Sequence, residues 1–250
     1  MWPRLGIRGR VKRRLMKIVL GRYDRSVPPR LRQVWAIGVY GGESPFDLRP
    51  LEGVDNPVLT RDHVSDLRAR FVADPFAIRV QGQWFLFFEI VDRASRKGQI
   101  GLATSRDGIR WVYQGVVLAE PFHLSYPYVF SWNERYYLIP ETGAAKTVRL
   151  YQADAFPGGW RYVGALLDGL PYVDASVFRW ADRWWLFAEV ERGGVHDTLH
   201  LFTSSDLLGP WQEHPASPVV RGDSRAARPA GKPLLWEGKL YRFAQDCFPR

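Results

Sequence analysis

The sequence predicts an all-β chain folded as a five-bladed β-propeller, and three observations carry that expectation. The first is an internal repeat. Asp74 stands 15 positions before Glu89, Tyr126 15 before Glu141, and Asp174 15 before Glu189, with a looser fourth copy from Arg228 to Gln245. The glutamates and the glutamine follow one another at spacings of 52, 48 and 56, a period that signals stacked or radially arranged units. The second is texture: from residue 71 onward, short strands alternate with turn signals. The third is Trp84-Phe85-Leu86-Phe87-Phe88, which is apolar without alternation. A strand with one wet face alternates, whereas burial on both faces suits sheets packed face to face around an axis. An immunoglobulin-like sandwich is the competing architecture; the period of about 50 residues and a repeated tryptophan argue against it.

Taken in order, the chain begins with a basic segment. The first 30 residues hold ten Lys/Arg and one acid, Asp24, so the net charge of +9 belongs wholly to this segment and the rest is balanced. Residues 1–22 read as a basic amphipathic helix able to lie on an anionic membrane surface, or as a solvated leader or linker. Lys17 interrupts its only apolar run and no small-residue cleavage site follows, which excludes an ordinary signal peptide. A body without a basic patch excludes nucleic acid as the expected partner. The division is therefore 1–30 as leader and 31–250 as propeller domain.

Trp35 to Tyr40 reads as a first strand, and Gly41-Gly42 ends it. Residues 43–70 read as an extended loop, with a short strand or turn at Asn56-Pro57-Val58-Leu59 and a short helix over Ser65 to Arg70. The first full unit places strands at 73–80, 84–90, 99–105 and 111–119. The next two repeat it, with hairpin turns at Trp132-Asn133-Glu134 and Ala181-Asp182 and third strands at Val148 to Tyr151 and Leu199 to Thr203. Trp111, Trp160 and Trp211 each follow a third strand and a turn containing Asp107, Asp154 or Asp206. An aspartate there can accept amides two residues on, and the tryptophan can wedge between sheets. Three full units, half a unit at 228–246 and an N-terminal strand predict a ring whose last blades are cut short at the C-terminal end.

Composition limits the chemistry. No run of 18 apolar residues exists, and the lone Cys247 cannot form an internal disulfide, which fits a reducing, cytoplasmic setting. There is no phosphate-binding glycine loop, no HExxH and no CxxC, so no cofactor or metal is expected; His196 and His200 are spaced by four, but in a strand.

The chemistry is expected where the innermost strands begin. Asp74, Tyr126, Asp174 and Arg228 are predicted to converge on an axial funnel. Two carboxylates, a phenol and a guanidinium form a glycoside-processing set, with one of Asp74 and Asp174 as general base, the other as general acid, and Tyr126 and Arg228 holding substrate. Glu89, Glu141 and Glu189 end the second strands and can reach the rim or serve the scaffold. His123, just before the second full unit, is the histidine expected to reach the funnel.

These residues carry a resemblance. Asn56 to Leu59, Ala73-Asp74-Pro75 and Ile100 to Trp111 resemble the family 43 and 32 glycosidases, five-bladed propellers with a central funnel, and Ser204 to Trp211 fits the same signature. From about Trp35 onward the chain is more similar to the N-terminal domain of the glucosamine inositolphosphorylceramide transferase family. That likeness implies a carbohydrate or glycoconjugate ligand, and a partner formyltransferase or glycosyltransferase domain in polysaccharide or glycolipid assembly. In the family 43 pattern Asp74 matches the base, Tyr126 replaces the aspartate that tunes pKa, and Asp174 stands where the acid is a glutamate. Two functions follow: an inverting glycoside-cleaving or glycosyl-transferring enzyme if the two carboxyls lie about 6.5–9.5 Å apart, or a non-catalytic glycan-binding module serving a transferase.

Overall fold

The computed structural model describes residues 15–20 and 35–248, and it is all strand and turn apart from two short 3-10 turns, Arg61–His63 and Gly143–Ala145. Five antiparallel sheets follow one another along the chain. The first holds β1 (Leu15–Leu20), β2 (Ile37–Ser44) and β3 (Asp47–Pro50). The second holds β4 (Ala69–Val80), β5 (Gln83–Asp92), β6 (Gly98–Ser105) and β7 (Val112–Leu118). The third holds β8 (Ser125–Trp132), β9 (Arg135–Glu141), β10 (Thr147–Ala155) and β11 (Gly158–Asp168). The fourth holds β12 (Tyr172–Trp180), β13 (Arg183–Val190), β14 (Thr198–Ser204), β15 (Gln212–Glu213) and β16 (Val220–Arg221). The fifth is the pair β17 (Leu234–Trp236) and β18 (Lys239–Tyr241). In the second and third sheets the strands lie in chain order, each hairpin pairing with the next, as the blade of a propeller requires.

Aromatic side chains join the blades. Phe87 meets Trp160 with ring centroids 5.5 Å apart, joining the second and third sheets, and Trp132 meets Trp184 at 5.2 Å, joining the third and fourth. The Arg242 guanidinium lies over Phe187, 5.8 Å from its centroid, and brings the fifth sheet to the fourth. Phe46 and Tyr241 stand edge to face at 4.9 Å, so the fifth sheet also touches the first. Double-sided burial of the second strands is plain in β5, where Leu86, Phe87 and Phe88 are all sealed from solvent. Phe87 packs with the third and fourth sheets, while Leu86 and Phe88 pack with Ile37, Leu59 and Trp111 on the side of the first.

Several expectations need correction. Leu15–Leu20 is a strand rather than helix: it pairs with β2 from Leu15–Gly42 to Leu20–Ile37. The run Ile18-Val19 carries β-branched side chains, which favour that geometry, and the β2 edge supplies the hydrogen bonds. The rest of the segment read as helix, residues 1–14 and 21–22, lies outside the described residues. The N-terminal strand is thus part of a whole sheet. No helix forms over Ser65 to Arg70; the only turn of helix here is Arg61–His63, capped by Thr60, whose Oγ1 accepts from the Asp62 amide. Asp66 is drawn away, accepting from the Tyr113 hydroxyl at 2.7 Å and the Val116 amide at 3.0 Å. The Asp107 and Asp206 turns form as expected, Asp107 accepting from the Ile109 and Arg110 amides and Asp206 from that of Leu208. Asp154 instead accepts from Arg161, because β10 and β11 are joined by a tight hairpin that leaves it no amide to cap.

Candidate functional site at the propeller axis

The repeat seen in the sequence is a repeat of backbone strain. Asp74, Tyr126 and Asp174 all have left-handed backbones, with φ of 48°, 46° and 51°. In each inner strand the pairing slips there: Ala73 faces Glu89 and Phe76 faces Phe87; Ser125 faces Glu141 and Tyr128 faces Ile139; Val173 faces Glu189 and Ser176 faces Phe187. Two residues oppose one, a bulge that re-aims the side chain of its first member. A left-handed non-glycine residue costs about 1–3 kcal/mol and persists only where its surroundings hold it, a pattern that clusters at functional sites. β4 begins at Ala69, so Asp74 lies within the inner strand rather than at its start. Pro75 is tolerated because the bulge has already broken the ladder.

Arg228 is not the fourth member of this set. It stands opposite Gln245, whose amide donates to the Arg228 carbonyl, so its register matches Ala73, Ser125 and Val173, one residue earlier. It reaches the axis by length instead. Its Nε lies 2.6 Å from Asp174 Oδ2, and the same oxygen accepts from Gln245 Nε2 at 2.7 Å. Asp174 is wholly buried, and its Oδ1 has no partner among the described residues. Burial works against the Arg228 charge, but Asp174, and further off Asp74, outweigh it and hold the guanidinium above its ordinary range.

Asp74 keeps some surface open, and its Oδ2 accepts from the Tyr126 amide at 3.2 Å. Burial first, then the charges of Glu89 and Asp174, lift its carboxyl well above the usual range, against the pull of Arg228. The Tyr126 hydroxyl sits 2.9 Å from Ser176 Oγ and accepts from the Gly231 amide at 2.7 Å. Burial, then Asp174, keeps that phenol protonated.

The three glutamates are each held differently. Glu89 lies 3.0 Å from His123 Nε2, while the Gly98 amide donates to His123 Nδ1 at 2.9 Å. That amide favours the ring with its proton on Nε2, and the hydrogen bond to Glu89 raises the pKa of the imidazole. Gly98 must be glycine: a β-carbon there would collide with the Leu124 carbonyl oxygen, and would also lie 2.9 Å from the His123 ring and 3.0 Å from Glu89 Oε1. Glu141 accepts from Ser125 Oγ at 2.9 Å and the Gly143 amide at 2.6 Å, and burial raises its pKa. Glu189 has both oxygens 2.9 Å from His196 Nδ1, and burial pushes its pKa up to about 8. Asp174 acts electrostatically on Asp74, Glu141, Glu189 and Tyr126, so all of these surround one centre.

The structure thus gathers Asp74, Tyr126, Asp174, Arg228, Glu89, Glu141, Glu189 and His123 round the axis. Sequence reasoning missed Gln245 as a partner of Asp174, although the repeat had already aligned it with the glutamates. It also missed Ser176 and Gly231, which no spacing marked, and weighed His196 only for its spacing of four from His200, not as the partner of Glu189. Among the described residues no group of three metal-ligating side chains forms, and His200 pairs with Glu213 at 2.7 Å.

Five sheets round a carboxylate-lined axis define a β-propeller of the glycosidase fold. Among solved structures, the exo-β-1,3-galactanase of Phanerochaete chrysosporium superposes with a TM-score of 0.61 over 82% of this chain and 48% of that one, at 15% identity. That likeness is one of fold. The family described as glucosamine inositolphosphorylceramide transferase 1, N-terminal, matches residues 31–249, and the chain belongs to it. The glucosamine inositolphosphorylceramide transferase 1 of Oryza sativa subsp. japonica is 41% identical over 85% of this chain, and that of Arabidopsis thaliana 36% over the same share. The chain spans 31% and 30% of those relatives.

Proposed function

We propose that this propeller recognises the sugar of a glycoconjugate in its axial funnel and serves glycosyl transfer carried out by other machinery. The observation that carries this reading is the state of Asp174. A general acid must meet its leaving group, but Asp174 is sealed from solvent and held by Arg228 and Gln245 through one oxygen. What remains partly open is a set of polar side chains, Asp74, His123, Glu141 and Arg228, suited to hydroxyl-rich ligands. The much longer relatives are named as transferases, and their name points to an inositolphosphoryl-linked glycolipid as the ligand class. Such a ligand would bring the funnel to a membrane surface, which the six Lys/Arg of residues 1–14 would favour electrostatically where the lipids are anionic.

A specific observation favours a second reading. Asp74 is partly open and holds its proton above the usual carboxylate range, which suits a general acid rather than the base expected from the sequence. The test is to follow binding and turnover together on a panel of glycosides and glycolipids, with wild type and Asp74→Asn. Saturable binding without product supports the recognition module. Product that disappears in Asp74→Asn while binding survives overturns it and makes Asp74 catalytic.

A further inference from the structure

The stretch that closes the axis carries four cations; Lys239 is exposed, and the three that are partly buried are not treated alike. Arg228 has Asp174. Lys232, four residues later, has no carboxylate partner among the described residues. Its Nζ lies 3.5 Å from the Ala77 carbonyl and 5.7 Å from the centroid of Tyr128, both on inner strands. Arg242 likewise meets, among the described residues, the carbonyls of Ala226 and Phe243 and the Phe187 ring, with no carboxylate. A half-buried ammonium without a counter-charge is costly, and a long carbonyl contact with a ring face offsets little of that cost.

The position of Lys232 ties it to the funnel. Gly231, directly before it, donates its amide to the Tyr126 hydroxyl, and the Tyr126 amide in turn donates to Asp74. From this geometry we infer that Lys232 is an anion-binding subsite adjoining the funnel, taking the phosphoryl or carboxylate group of the glycoconjugate whose sugar lies at Asp74 and Tyr126. The sugar half of that statement rests on the function proposed above; the anion half stands on Lys232 alone. Burial lowers the Lys232 pKa to about 8, so an arriving anion should draw a proton onto a lysine that is partly neutral in slightly alkaline solution.

The test is calorimetry on the whole chain at pH 8, in buffers of different ionisation enthalpy. Inorganic sulfate is the first probe, because it does not titrate there. The expected result is saturable binding with uptake of about half a proton, as a pKa of about 8 dictates. Lys232→Met should abolish the uptake and weaken binding about ten- to a hundredfold, and Lys232→Arg should keep binding without the uptake. Should Lys232→Met fail to fold, Lys232→Arg still decides, because uptake that persists there belongs to Glu189, which also titrates near 8, and overturns the inference. Myo-inositol 1-phosphate and glucuronate, against neutral myo-inositol and glucose, show whether the group is phosphoryl or carboxylate. No proton uptake by wild type, or undiminished sulfate binding by Lys232→Met, overturns the inference. Neutral glycans that bind while anions gain nothing from Lys232 sink it and leave the recognition module standing; Lys232-dependent anion binding with no glycan bound does the reverse.

Discussion

Replacing Arg228 with methionine removes the counter-charge of a carboxylate that has no access to water. Asp174 Oδ2 loses its 2.6 Å ion pair and keeps only Gln245, while Oδ1 already lacks a partner. Breaking a buried pair from one side costs about 3–5 kcal/mol, and the surviving Gln245 bond places this case toward the lower figure. For a domain of this size each kcal/mol moves Tm by roughly 2–4 °C, so a fall of about 6–20 °C is expected. Urea denaturation of Arg228→Met, Asp174→Asn and the double variant isolates the pair. Asp174→Asn removes the stranded charge, so the double variant should be more stable than Arg228→Met and the coupling should exceed about 2 kcal/mol. Additivity within about 0.5 kcal/mol would refute the reasoning, because it would mean that Asp174 does not depend on Arg228.

Three further outcomes follow from the same geometry. Glu189 ordinarily titrates near 4.5 but is raised to about 8 in the fold, so its contribution is fully present below about pH 4.5 and lost as pH rises through about 8. Asp74, Glu141 and His123 are shifted in the same direction, so wild type should denature at lower urea at pH 8 than at pH 5.5, and Glu189→Gln should flatten that slope. Tyr126→Phe leaves the Gly231 amide without its acceptor and should cost about 1–3 kcal/mol, read from the urea midpoint. Gly98→Ala forces a β-carbon against the Leu124 carbonyl first, and against His123 and Glu89 beside it, and should cost about 3 kcal/mol or more, with the His123 ring resonances shifted in NMR spectra.

Much of this fold was legible because propeller blades repeat. A strand buried on both faces cannot alternate, so Trp84 to Phe88 declares its environment, and the spacing from Asp74 to Glu89 recurs because each bulge faces the same partner strand. The first sheet was harder to see. Leu15–Leu20 is basic and apolar in a pattern that fits a helix as well as an edge strand, and only pairing with β2 decides between them. The site was legible as a set of positions, since the residue at each bulge is aimed by backbone that the repeat defines. Its electrostatics were not. The clamp on Asp174 joins Arg228 and Gln245, from the segments flanking the last hairpin, and the carboxyl expected to act as base holds its proton above the usual carboxylate range. Neither charge coupling nor burial can be read from spacing alone.

The most direct test of the central claim is a calorimetric titration of short neutral and anionic glycans into wild type and into Asp74→Asn, with the same solutions then assayed for cleaved or transferred sugar. The account predicts one saturable site, weakened by Asp74→Asn, and no product from either form. Binding indifferent to Asp74, or product released by wild type, would contradict it.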